Sequence, residues 1–437
     1  MTEILGILIQ LFIFLIIFTF PFKPEVLNNY LNLKRHKFDL IDSHALNIIF
    51  FLYVCLISSF LNIDIEILFK IYLIISVLYF FFFNKKNFIY KNENVILFYF
   101  FILIALSIFF YISNNLKLEW DGVSHWLEKA KIIFDKQNLS QLAYVNNKPH
   151  YPHLGSYVWG LFWKNSFLEL EFLGRLIYVY IYLVSIFLVI ETCKISNILK
   201  KIVLIFFILL LTFEPYYFGG YQEYLIFSIL MIASRFILSL EFIEKKNLKI
   251  MFLIILILNL NLWVKEEGAI YYLLFGNVLI LISKYSNFQK IYLTFFLFLL
   301  VISKFIMQKY FIGNFGYTHK ISLDFILYDL KDYHIFFIKF YNILIHNFIA
   351  FVKHPLWILI FISIIFKLKL NYNFKTIEKY FIICLIINLI IFIAIFFTFN
   401  DLNLYLTVAL DRLLFQSSGF YLVLILYFLN NLKFFKK

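Results

Sequence analysis

The feature that most constrains this chain is a recurring one. Runs of almost unbroken apolar residues, each about as long as a helix that crosses a bilayer core, return from one end of the sequence to the other. Backbone N–H and C=O groups cannot stay unpaired in lipid, so runs of this kind fold as helices. Candidate spans fall at 4–22, 45–62, 67–84, 95–113, 171–192, 201–218, 222–241, 250–264, 269–283, 290–307, 354–367, 380–398 and 416–431. The composition agrees. Of 437 residues 63% are hydrophobic and 15% charged, against roughly 45–50% and 25% in a soluble domain. The expected fold is an all-α polytopic membrane protein of about 11–14 transmembrane helices. The first run has no basic leader and no small-residue cleavage site, and reads as a retained helix.

The formal charge of +13 does not point to nucleic acid. The lysines and arginines sit in short connections between apolar runs, where they set orientation in the membrane. Cys55, Cys193 and Cys384 are scattered in or beside apolar runs, with no metal-ligand or disulfide spacing.

Loop charge then gives a topology. Connections 23–44, 85–94, 194–201, 242–249, 284–290 and 367–379 and the tail "KFFKK" are basic and are assigned to the cytoplasm. The opposite set faces outward: "DIEI" at 64–67, the long loop 114–170, "FEPYYFGGYQEY" at 213–224, "KEEG" at 265–268, the loop 308–353, and 400–416. One assignment thus puts every unusual polar cluster on one side. The short run 152–163 fits as a partial or re-entrant helix, and a further span at 335–352 would restore parity if it crossed fully.

Within the long loop, Val123, Trp126, Leu127, Ala130 and Phe134 recur at helical spacing, which predicts an amphipathic helix on the membrane surface. Trp120 and Trp126 suit an aromatic belt at the headgroups, and Asp121, at the start of that helix, suits either an N-cap or a functional carboxylate. His150 and His153 flank Pro152, which argues against a regular metal-binding pair and for a polar helix start. Glu223, the triplet Lys265–Glu266–Glu267 and Arg412 each stand at an outward helix end. Singly such charges are solvated turns. Together they form a pattern, because ionisable groups at membrane depth are costly and tend to pair or face cavities.

These residues carry a resemblance. "EWDGVSHWLEKAKIIFD" (119–135), "HYPHLGSYVWGLFW" (150–163), "GGYQEYLIFSILMIAS" (219–234) and "NLWVKEEGAIYYLL" (261–274) resemble, in order, motifs of the GT-C superfamily of integral membrane glycosyltransferases, the group that includes protein O-mannosyltransferases and aminoarabinose transferases. The resemblance covers roughly 115–275; beyond that it is general architecture plus a late arginine. Gly122, His153 and Glu223 depart from the residues such proteins often carry. The resemblance implies 1–94 as N-terminal helices forming an accessory extension, 95–307 as a catalytic core with the first large outer loop 114–170, and 308–437 as an outer loop with C-terminal helices.

It also implies an inverting sugar transfer from a polyprenyl-phosphate donor to a hydroxyl of a glycan, lipid or protein acceptor, at the periplasmic or outer face of a bacterial inner membrane. Asp121 would be the general base. Arg412, then Lys265 and Lys129, would hold the donor phosphate. Glu119, His125, Tyr151, Glu223, Glu266 and Glu267 would orient the substrates. No cofactor is required, no residues are assigned to a metal, and the carboxylates could take a divalent cation. Membrane lipids are the remaining partners. Three rivals stand beside this reading: a transporter or flippase, which should place its charges at mid-membrane on broken helices; a polysaccharide polymerase or ligase, which should carry its large outer loop late in the chain; and a purely structural membrane scaffold, which would tolerate alanine at Asp121, Glu223 and Arg412 together.

Overall fold

The computed structural model describes residues 2–31, 38–83, 92–193, 195, 197–240, 247–313, 333–369, 374–397, 402, 406–407 and 409–431. The basic stretches at 34–37, 85–91 and 245–246, and residues 319–332 of the late loop expected to face outward, lie outside this set.

Every regular element among the described residues is helical. In chain order they are α1 (Thr2–Ile17), α2 (Pro24–Tyr30), α3 (Leu40–Phe60), α4 (Ile65–Phe83), α5 (Asn92–Asn114), a wide π turn (Gly122–Leu127) running into α6 (Glu128–Phe134), α7 (Leu154–Lys164), α8 (Glu171–Ile190), α9 (Ile198–Thr212), α10 (Glu223–Ser239), α11 (Leu248–Asn259), α12 (Asn261–Val264), α13 (Gly268–Ile282), α14 (Asn287–Phe311), α15 (Tyr333–Lys353), α16 (Pro355–Lys369), α17 (Thr376–Phe396) and α18 (Leu410–Asn431). Seven of them, α3, α4, α5, α8, α14, α15 and α17, are long and apolar enough to cross a membrane. The 2–17, 248–264 and 268–282 stretches are shorter apolar helices. The chain is an integral membrane protein.

Helix α8 is the axis of the body. Every residue from Phe172 to Ile190 is buried, and α1, α3, α5, α7, α9 and α10 surround it. By contrast α14 turns Ile291, Phe295, Phe298, Ile302 and Ile306 outward, an apolar face suited to lipid. Lipid tails are as apolar as leucine, so contacts between such helices come from close packing and interhelical hydrogen bonds. Both are present. Gly419 brings α18 so near α10 that a Cβ there would lie 2.6 Å from the Phe227 carbonyl oxygen. His44 Nε2 meets the Tyr180 hydroxyl at 2.7 Å, Ser59 Oγ meets His153 Nε2 at 2.8 Å, and the Tyr53 hydroxyl donates to Leu256 O at 2.7 Å. Those bonds join helices of the 1–94 segment to the helices that follow.

Two expectations need correction. The 333–353 part of the expected late loop is a 21-residue apolar helix. Its His334, Lys339 and His346 interrupt the apolar run enough to hide it in the sequence. The expected span 201–218 ends as a helix at Thr212, and Pro215 then starts a short 3-10 turn, because proline has no N–H to continue the ladder. Helix α7, in the short run at 152–163, has 11 residues. At 1.5 Å per residue that is about 16 Å, half of a bilayer core.

Candidate functional site

Asp121 lies where the chain enters the π turn, with helical backbone angles of φ −64° and ψ −36° and no side-chain hydrogen bond to the helix start. The N-cap role is therefore not the one it plays. Its carboxylate instead meets Arg412, Oδ2 to Nη2 at 2.5 Å. The same guanidinium holds Glu223, with Nη2 and Nε at 2.5 and 2.6 Å from Oε1, and stacks 4.8 Å from the centre of the Tyr221 ring. Lys265 Nζ completes the group, 2.9 Å from Glu223 Oε1 and 3.5 Å from Glu267 Oε1. Glu223 is fully buried and Lys265 is 1% exposed, so neither belongs to a solvated turn.

Helix ends build this cluster. Glu223 opens α10, Lys265 and Glu267 immediately precede α13, and Arg412 lies in the first turn of α18. Helix N-termini carry partial positive charge and free N–H groups, which favour anions. Asp121 is brought to them by an interlock of two loops. The Glu119 N–H donates to Gly219 O at 2.9 Å, and a Cβ on Gly122 would overlap that same carbonyl. Gly220 has φ +95°, a conformation in which glycine is favoured. The departure at Gly122 thus has a steric reason. Arg175 ties both loops to α8, donating to Phe218 O at 2.9 Å and Leu116 O at 3.3 Å while paired with Glu171 at 2.8 Å. Gln222 Nε2 donates to the Tyr178 hydroxyl at 3.0 Å, which donates to Gly155 O at 2.9 Å.

The other expected residues divide. His125 lies beside Asp121, Nε2 to Oδ1 at 3.9 Å, under the exposed Trp120 ring at 5.1 Å. Burial lowers the His125 pKa, and the Asp121 carboxylate opposes that shift. Tyr151 packs its ring 5.8 Å from that of His125. Glu266 faces His150, 3.7 Å from Nε2. Partial burial and the neighbouring Glu267 carboxylate raise its pKa to about 7. Lys129 is fully buried, and its ammonium donates to Tyr151 O at 2.7 Å and Pro149 O at 3.5 Å. Burial lowers its pKa to about 7. Glu119 turns its carboxylate to Lys117 at 3.4 Å, so only its backbone serves the site.

Trp126 corrects the aromatic-belt expectation. It is fully buried, against Tyr151 at 5.7 Å, while Trp120 is 68% exposed. The histidines diverge, His150 towards Glu266 and His153 to Ser59, and burial lowers the His153 pKa to about 3. Among the described residues no three His, Cys, Asp or Glu side chains converge as metal ligands. Sequence reading missed Arg175 and Tyr221. A lone arginine inside an apolar run, as at Arg175, is the signal that would have found the first.

No protein-family model, curated protein or solved structure matches the chain.

Proposed function

We propose that the protein is a membrane glycosyltransferase that moves a sugar from a polyprenyl-phosphate donor to an acceptor hydroxyl, with inversion, at the outer face of the membrane. One observation carries the reading: Asp121, Glu223, Lys265 and Arg412, from four separate segments, meet within ion-pair distance at the ends of apolar helices. A forked cation beside a carboxylate is the pair such a transfer needs, and the surrounding apolar helices suit a donor whose tail stays in lipid.

In the proposed step the acceptor oxygen attacks the anomeric carbon from the face opposite the phosphate. The bond from that carbon to the phosphate oxygen breaks, and its electron pair leaves with the polyprenyl phosphate. The hydroxyl proton passes to a carboxylate oxygen of Asp121. Arg412, drawn from Asp121 to the donor phosphate, binds it in a bidentate fork and leaves Asp121 free to accept the proton. Lys265 and the helix N-termini add positive potential where charge develops on the leaving group. Glu223 keeps both cations in place.

The test is release of polyprenyl phosphate by protein purified in lipid and supplied with a panel of polyprenyl-phosphate hexoses and pentoses. Release that depends on Asp121 supports the reading. No release from any donor by folded protein would turn attention to diphosphate-linked donors or to transport.

A further inference from the structure

The three carbonyls of Pro149, His150 and Tyr151 are gripped from two sides. Lys129 donates to the first and third, and Gln308 Nε2 donates to the second at 2.5 Å. One turn before Gln308 on α14, Lys304 points the same way round the helix and is 5% exposed. Among the described residues it makes no hydrogen bond and no ion pair, and its ammonium rests 4.6 Å from the centre of the Phe305 ring. Gln308 is 4% exposed, and its Oε1 has no hydrogen-bond partner.

The charge balance is uneven. Lys129, Lys148 and Lys304 all act on the Glu266 carboxyl, yet no lysine lies within ion-pair distance of it among the described residues. Glu266 is 39% exposed at its side chain. A mostly buried lysine with an aromatic ring but no anion beside it is costly, and so is an unpaired buried amide oxygen. In a membrane protein such groups tend to mark a ligand path. The Arg412 cluster is different, since its two cations are already met by carboxylates.

We infer that Lys304, Gln308 and Lys129 form an anion subsite separate from the Arg412 cluster, one that takes a phosphate or carboxylate group carried by the acceptor. The lysines supply the charge. The Gln308 oxygen accepts a hydrogen bond from a hydroxyl or from the protonated form of the same group, and Glu266 at the mouth sets the orientation. Naming the acceptor as the source rests on the proposed transferase reading; the subsite itself does not.

The experiment is thermal-shift titration of detergent-purified protein with inorganic phosphate, with acetate as the carboxylate probe and, separately, with polyprenyl phosphate. Saturable stabilisation by phosphate or acetate is expected, weakened about tenfold in Lys304→Met, with polyprenyl-phosphate binding unchanged. Gln308→Met keeps every charge, and a loss of a few-fold is expected there even if Lys304→Met fails to fold. Equal phosphate and acetate binding in wild type and the folded variants would overturn the subsite. Weakened polyprenyl-phosphate binding in Lys304→Met would overturn the acceptor assignment, because the donor would then sit here. Failure of the transferase reading shows elsewhere, as no Asp121-dependent release.

Discussion

Arg412 bridges Asp121 and Glu223 with a single terminal nitrogen, 2.5 Å from a carboxylate oxygen of each. The two carboxylates differ in what else they hold. Glu223 is also bonded to Lys265, whereas Asp121 has only the more distant His125 as its other titratable neighbour within 4 Å among the described residues. Asp121→Asn is therefore expected to abolish sugar transfer while leaving the yield of folded protein unchanged, as read by donor turnover and size-exclusion profile. Loss of folded protein would assign Asp121 a structural part.

Glu223→Gln should behave in the opposite way. Removing the carboxylate leaves two cations facing one another in a buried place, and breaking a buried pair costs about 3–5 kcal/mol. A lower melting temperature is expected, with part of the loss recovered in the double variant Glu223→Gln, Lys265→Met. A single variant as stable as wild type would show that water reaches the cluster freely.

Arg412→Lys keeps the charge and removes the fork. The expected result is donor KM raised about tenfold or more, with melting temperature changed far less than in Glu223→Gln. Unaltered KM would mean that the phosphate binds elsewhere, and the Lys304 region would be the next place to probe.

Gly122→Ala tests the interlock of the two loops. An added methyl meets the Gly219 carbonyl, and overpacking of this kind costs about 1–3 kcal/mol. Activity should fall with stability, since the clash pushes Asp121 away from Arg412. Full activity in the variant would show that the 118–122 segment can shift without consequence.

The buried lysine and the half-exposed glutamate predict two limbs in a stability–pH curve. The pKa of Glu266 is raised to about 7 in the folded protein, so its contribution is present below its unfolded value of about 4.3 and is lost as pH rises through 7. The pKa of Lys129 is lowered to about 7, so its contribution is present above about 10.4 and is lost as pH falls through 7. Melting temperature should reach a shallow minimum near neutrality. Glu266→Gln should flatten the acid limb and Lys129→Met the alkaline one; a variant with both limbs intact would contradict the assignment.

The apolar runs made most of the helices legible, and the charged ends of those runs pointed to Asp121, Glu223, Lys265 and Arg412. The pairing of Asp121 with Arg412 was not legible, because contact between distant segments leaves no local pattern. Nor was the burial of α8, since a helix facing protein and one facing lipid are equally apolar. Lys304 and Gln308 were passed over as ordinary residues near the end of a span, although their spacing on one helix face was available to see. Trp126 was misplaced for a related reason: an aromatic beside a membrane serves a headgroup belt or a protein core equally well.

The siting of Arg412 on α18 has a consequence for biosynthesis. Asp121, Glu223 and Lys265 leave the ribosome well before it, on segments that can insert and pack around α8 as they emerge. Until α18 arrives and seats Gly419 against α10, Glu223 holds Lys265 alone and Asp121 lacks the guanidinium they share. A partly translated chain would hold three of the four charges in place without the fourth, so on the proposed transferase reading it would be inert until its last helix is made.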